Sequence, residues 1–377
     1  MSGVLVAFVA LSAVLWLSVF GYPLALRVIA RQRRSDEGLA DHPPVAVIVP
    51  VLNEEALIIA KLADLRRTDY PADRLSIWIV DGGSQDQTPE LVRRTIDAGA
   101  PVHLLRLPDA RGKTDQVSRA LWEVGEEYVV VTDADAVLDP ACIRELVATL
   151  VHDPHTAIVG AAVRPASALL EERVHWWLLN HLWWLEGEAL SASLVSGVCY
   201  AARRGMIRLP LADGGQGEDA QIALRAGSSG LRVRLCRGAQ ATEVRVPQTA
   251  AELLRFRRRR GHDYVYELRR SQASANTPLG WRLVRGIRLW HFLVTPRVAL
   301  ALALIGICLL WTEHWAWSIA IFLAFAAPAV AAVARGTAAE TDRSGWWEIG
   351  FATTRLVALT WLALLTLARY RTAAGED

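Results

Sequence analysis

An α/β domain on a mainly parallel sheet, with helical membrane segments at both ends of the chain, is what this sequence predicts. Between residues 31 and 280, short apolar runs rich in β-branched residues alternate with helical stretches, and each run closes on polar or glycine-rich residues. Outside that interval lie long uncharged segments. The 377 residues are 53% hydrophobic and only 21% charged, against about 25% charged in an ordinary soluble domain. Such a chain is not disordered, and 41 basic against 39 acidic residues excludes a nucleic-acid binder driven by net charge.

Residues 1–26 carry no charge, and the apolar run 4–29 is longer than the about 20 residues that cross a bilayer. Arg27, Arg31, Arg33 and Arg34 follow it. A cleaved signal would carry its positive charge before a shorter apolar core. Residues 1–30 therefore read as an N-terminal transmembrane anchor, and the positive-inside rule places residues 31–280 in the cytoplasm. Residues 281–377 read as a C-terminal membrane region with two or three helices: 298–312 extended back past Pro296, 315–334, and 346–368. In the last, Glu348 and Arg355 must face neighbouring helices or snorkel, unless the segment is a surface helix followed by a short span. The expected location is the inner membrane, multi-pass.

Four strand candidates lie in the cytoplasmic part: 45–49, 76–80, 102–107 and 128–132. Pro50, Asn53, Glu54 and Glu55 follow the first, Asp81 and Gly82 the second, Asp133 and Asp135 the fourth. Ligands of open α/β sheets collect at the carboxyl ends of strands, so these segments are expected to share one crevice. The stretch VHWWLLNHLWWLEGE, 174–188, carries four tryptophans but is too short and polar-flanked to span. It reads as an interfacial helix near 171–188 lying on the membrane face of the domain, the alternative being a core helix that uses tryptophan as filler. Cys142, Cys199, Cys236 and Cys308 have no metal-ligand or disulfide spacing and read as reduced core residues. Only Lys61 and Lys113 are lysines, against 39 arginines, which makes a lysine inside a motif informative.

Asp133 and Asp135, two apart after an apolar strand, can point the same way, and they repel unless a proton or cation lies between them. Magnesium or manganese bridging them to a diphosphate would satisfy that need. A phosphatase with a nucleophilic aspartate is the other chemistry this motif alone allows.

The ordered set VPVLNEE (49–55), VDGGSQDQT (80–88), RGKTDQVSRAL (111–121), TDAD (132–135), SGVCYAARR (196–204) and GED (217–219) resembles the family 2 glycosyltransferases over roughly residues 45–262. Within that family it resembles ceramide-glucosyltransferase-like and synthase-like members. The resemblance implies a GT-A catalytic unit and a nucleotide-diphosphate sugar donor, with a UDP-sugar expected. It implies that Pro50, Glu54 and Asp81 hold base and ribose, that Lys113 lies near the nucleotide, and that Asp133 contacts the nucleotide sugar. Asp135 would hold the magnesium or manganese ion. Asp219 would be the base for the acceptor hydroxyl, with Glu218 beside it, although both acids also suit a helix N-terminus on their own account. Gly214, Gly215 and Gly217 would permit a mobile loop before them.

Two departures from the family pattern stand out. DG replaces the usual DD at 81–82, which leaves base specificity open. LLRFRRRRG, 253–261, replaces QxxRW, with Leu254 and Arg258 where glutamine and tryptophan would stand. Arg257 is then the diphosphate candidate, with Arg255 and Arg258 close behind, while the same arginines also suit a face on anionic lipid. The expected function is inverting transfer of a sugar to a membrane lipid, with tryptophan-rich 176–184 and 281–290 holding the reaction at headgroup level. A processive polysaccharide synthase subunit, or a non-catalytic nucleotide-sugar-binding relative in an assembly complex, are the alternatives.

Overall fold

The computed structural model of the chain describes residues 3–30, 42–207, 210–211, 217–271, 277–312, 314–321, 323 and 346–365. All four expected strands form, as β1 (Val45–Val51), β2 (Leu75–Asp81), β3 (Val102–Arg106) and β4 (Tyr128–Thr132). They lie side by side and mutually parallel. β1 sits between β2 and β4 with all seven residues buried, so its sequence is a continuous apolar run rather than an alternation. Each valine or isoleucine buried there contributes about 1.5–3 kcal/mol.

The other half of the sheet was not legible as strands: β5 (Ala136–Leu138), β6 (Thr156–Pro165), β7 (Cys199–Arg203) and β8 (Arg232–Glu243). The eight-stranded order is β3-β2-β1-β4-β7-β6-β8-β5. β6 and β8 pair parallel, but β7 runs antiparallel to β4 and β6, and β5 antiparallel to β8, so the sheet is mixed, with four parallel and three antiparallel pairings. Thr132 ends β4 and Ala136 begins β5, yet β5 pairs with β8 at the far end of the order. Three intervening residues cannot span a flat sheet, so the sheet curls. That curl brings Glu243, the partner of Ala136, to the carboxyl end of β4.

α7 (Leu170–Leu190) covers the sheet on the β6 and β8 side and is itself covered by α2 (Tyr22–Ile29) and by a C-terminal helix, α12 (Trp346–Leu365). Trp176 and Trp183, seven residues apart, are 2% exposed and enter the main core. Trp177 and Trp184 on the next face are half-buried, with the Arg237 guanidinium 3.7 Å over the Trp184 ring. The core-helix reading thus holds for two of the four indoles. Trp281 departs from expectation in the same direction: it is buried in α10 (Leu279–Leu289) against α8 (Glu218–Ser228), where a Cβ added at Gly227 would fall inside its indole ring.

Two helices, Gly3–Ile29 and Leu279–Leu310, are long and apolar enough to cross a membrane by length and composition. They pack together through Leu5, Phe8 and Leu15 against Ala299, Leu302 and Leu309. Their other faces leave Val14, Leu17, Val28, Leu300, Leu304 and Ile307 exposed. Residues 322 and 324–345, and with them the end of the expected span 315–334, lie outside the described residues, as do 366–368 of the last expected segment and Gly214 and Gly215. In α12, Arg355 pairs with Glu171 of α7 at 3.1 Å, so this charge faces a neighbouring helix. Cys142, Cys199 and Cys236 are buried free thiols, whereas Cys308 is exposed.

Gly227→Leu should lower the melting temperature of the detergent-solubilised chain, since overpacking costs about 1–3 kcal/mol or more. Adding Trp281→Ala should return part of the loss. An unchanged melting temperature in the single variant would show that α10 is not docked on α8.

Candidate active site

The crevice is assembled from loops that hydrogen-bond to one another before any ligand is involved. The loop after β1 and the loop after β2 are laced together: Asn53 N–H donates to Ser84 Oγ at 2.8 Å, Gln85 N–H to Asn53 Oδ1 at 2.9 Å, Glu54 N–H to Thr88 Oγ1 at 2.8 Å, and Gln87 N–H to Glu55 Oε2 at 3.0 Å. Asn53 takes a left-handed φ of 56°, which asparagine tolerates. Asp81, fully buried, accepts from Ser84 N–H at 2.9 Å and pairs with Arg106 at 3.0 Å. Gln116 donates to Val51 O at 2.8 Å and Val80 O at 2.9 Å. A Cβ at Gly82 would lie 2.6 Å from that same amide nitrogen. The space that a side chain at position 82 would enter is filled by Gln116.

Across the crevice, Lys113 opens α5 (Lys113–Glu123) and reaches Asp133 at 2.5 Å, Glu218 at 2.7 Å and Gly197 O at 3.2 Å. Gly197 N–H donates to Asp219 Oδ2 at 2.7 Å, and Ala220 N–H to Asp219 Oδ1 at 2.7 Å. Both oxygens of the expected base are therefore oriented by main-chain donors. A Cβ at Gly197 would stand 2.8 Å from Lys113 Nζ, 3.1 Å from Glu218 and 3.4 Å from Asp219. Only a residue without a side chain lets these three groups converge.

Burial pushes the Glu218 carboxyl up to about 7, with Asp219 and Asp133 repelling and Lys113 pulling down. Burial and Asp133 raise Asp135, opposed by Lys113 and Arg260. Burial raises Glu243 as well, against the Arg260 guanidinium at 2.5 Å. Asp133, Asp135, Glu218, Asp219 and Glu243 thus share a crevice with Lys113 and Arg260. Five carboxylates against two cations repel a diphosphate unless a cation comes with it. Among the described residues no three His, Cys, Asp or Glu side chains form a complete metal cage. The donor set fits a hard divalent ion held by Asp133 and Asp135 and completed by substrate oxygens.

The structure brings together Lys113, Asp133, Asp135, Glu218 and Asp219. Glu54 lies at the mouth of the crevice and pairs with Arg245, and Pro50 is buried within β1 opposite Val80. Arg257 is the correction. It is 7% exposed and paired with Glu172 at 2.5 Å, because its turn of α9 (Ala250–Arg270) faces α7. Arg255 is exposed beside Glu252, and Arg258 is half-buried. Arg260, three residues beyond Arg257, is the arginine that faces the acids. Sequence reasoning also missed Gly197 and Gln116, both inside recognised motifs, and Glu243, for which no motif gives a signal.

A mannosyltransferase from Pyrobaculum calidifontis, solved in complex with GDP-Man and Mn2+, has the same fold, with a TM-score of 0.72 over 96% of this chain and 97% of that chain at 21% identity. The architecture is a GT-A-type glycosyltransferase fold. Residues 46–212 match the Glycosyl transferase family 2 model. A probable glycosyltransferase of Bacillus subtilis is 26% identical over 61% of this chain and 57% of its own length. The beta-monoglucosyldiacylglycerol synthase of Synechocystis is 29% identical over 38% of this chain and 29% of its own. The chain therefore spans less than two thirds of these relatives.

Gly197→Ala should cut turnover by about a hundredfold or more, the scale of losing a positioned base, with the melting temperature nearly unchanged; near-normal turnover would separate Gly197 from the chemistry. The Glu218 carboxyl is raised in the folded state, so its contribution is favourable below its unfolded pKa and is lost as pH rises through about 7. Glu218→Gln should therefore gain melting temperature relative to wild type between pH 5 and about 8. A difference constant across that window would refute the assignment.

Proposed function

We propose that this protein is an inverting glycosyltransferase that moves a sugar from a nucleotide-diphosphate sugar to a lipid acceptor at the cytoplasmic face of the inner membrane. The observation that carries the reading is the convergence of Lys113, Glu218 and Asp219 around Gly197, beside Asp133 and Asp135. Asp81 and the laced 53–55 and 84–88 loops receive the nucleoside, and a UDP-sugar is the first donor to test. Asp133 and Asp135 would hold a magnesium or manganese ion, whose charge would offset that of the diphosphate leaving group. Lys113 adds a second positive charge at the same group. Asp219, oriented by the N–H groups of Gly197 and Ala220, takes the proton of the acceptor hydroxyl. A single in-line displacement with a base opposite the leaving group inverts the anomeric centre.

The lipid acceptor draws support from the two apolar helices and from relatives named beta-monoglucosyldiacylglycerol synthase, of which the Trichormus variabilis protein is 33% identical over 34% of this chain. A polysaccharide acceptor is the second reading, favoured by putative cellulose synthases of Komagataeibacter xylinus at 26% identity over 39% of this chain.

Purified protein given labelled donor with either membrane lipid extract or soluble oligosaccharides should label the lipid phase. Label only in water-soluble acceptors or long polysaccharide would overturn the lipid assignment. Asp135→Ala or excess chelator should abolish turnover. Asp219→Asn should lower it about a hundredfold or more while leaving donor binding intact; a near wild-type rate would move the base elsewhere.

A further inference from the structure

The second lysine has no part in the chemistry above, yet it is the more deeply buried of the two. Lys61 lies on α3 (Ile58–Leu65) with its side chain 0% exposed. Its ammonium donates to Ala136 O at 2.6 Å and Thr132 Oγ1 at 3.1 Å, and stands 3.7 Å from Asp64 Oδ2. Asp64 accepts from Leu138 N–H at 3.0 Å and pairs with Arg67 at 3.1 Å. The main chain is thus clasped on both sides of Asp133 and Asp135. Lys113 meets the same turn from the crevice.

An ammonium has only protons to give, so the Thr132 hydroxyl must turn its own proton elsewhere. It donates to Val198 O at 2.9 Å, which also accepts from Asp133 N–H at 3.1 Å. The N–H of the preceding residue, Gly197, holds Asp219. A connected path therefore runs from Lys61 through Thr132 and the 197–198 segment to the base. Taking an ammonium out of water costs several kcal/mol, and apolar residues of like volume often serve stability as well. Lys61 is an expensive way to fill a core.

We propose that Lys61 is a positioning residue for glycosyl transfer: it fixes the main chain around Asp133 and Asp135 so that both carboxylates stay aimed at one divalent cation, and it ties that turn to Asp219. The proposal rests on the reading of this turn as the metal and diphosphate site. A hydrophobic replacement would leave Ala136 O without its donor and the carboxylates free to splay apart.

Mn2+ binding to the full chain in detergent, followed by electron paramagnetic resonance with UDP or GDP present, gives a readout independent of turnover. Lys61→Met should weaken Mn2+ by about 10- to 100-fold, the range for supporting groups behind metal ligands, and lower kcat with donor KM little changed. Lys61→Met with Asp64→Asn removes both buried charges, so it should recover melting temperature but not Mn2+ affinity. Thr132→Val, which breaks the same path without baring a charge, should weaken Mn2+ in the same direction. Wild-type Mn2+ affinity in Lys61→Met, or affinity recovered together with stability in the double variant, would reduce Lys61 to packing. Mn2+ binding by wild type that Asp135→Asn leaves untouched would instead overturn the metal reading, and this proposal with it.

Discussion

Two consecutive residues, Gly197 and Val198, hold the crevice in one piece through their main-chain groups. Val198 O accepts from Thr132 Oγ1 and Asp133 N–H, Gly197 O accepts from Lys113, and Gly197 N–H donates to Asp219. The DxD turn, Lys113 and Asp219 come from the end of β4, α5 and α8, which share no local sequence. Each is positioned by this one short segment leading into β7. The antiparallel placement of β7 against β4 follows from the same requirement, because only then does the segment entering β7 lie beside the end of β4.

A comparable dependence ties the apolar helices to the domain. α7 carries four acids that meet arginines from four different elements: Glu171 with Arg355 of α12, Glu172 with Arg257 of α9, Glu186 with Arg288 of α10, and Glu188 with Arg234 of β8. Glu172 and Glu186 are 0% exposed. Removing one partner of such a buried pair typically costs about 3–5 kcal/mol, because the other charge is stranded. The tryptophans of α7 supply area, and its acids decide what docks where. The arginine-rich composition therefore has a structural use.

How much of this could be read in the sequence depended on whether the signal was local. β1 to β4 were legible because buried parallel strands are unbroken apolar runs with polar ends. Lys113, Asp133, Asp135 and Asp219, which the structure brings together, could be singled out because each sits inside a short motif. β5, only three residues long, and β8, with arginine and glutamine along its length, carry no such run. Glu243 and Arg260 reach the site through the curl of the sheet and the rotation of a helix. Neither can be read from spacing. Tryptophan misled for a related reason: an indole suits a membrane boundary and a wide core gap equally well, and Trp176, Trp183 and Trp281 fill gaps.

The two departures from the family pattern prove different in kind once side chains are placed. At 81–82 the missing carboxylate is a substitution of volume: Gln116 fills the space and spends its amide on the carbonyls of Val51 and Val80. It joins β1 to β2 where a second acid would have faced a ligand, so the crevice gains rigidity and loses one acceptor. At 253–261 the change is one of angle. Three residues advance a helix by about 300°, so Arg257 and Arg260 sit on adjoining faces of α9, one turned to Glu172 and the other to Glu243 and the DxD acids. Aligning a degraded motif by its glycine selects the residue at the right count. Burial and partner choice instead turn Arg260 toward the crevice, where Glu243 holds its guanidinium at 2.5 Å.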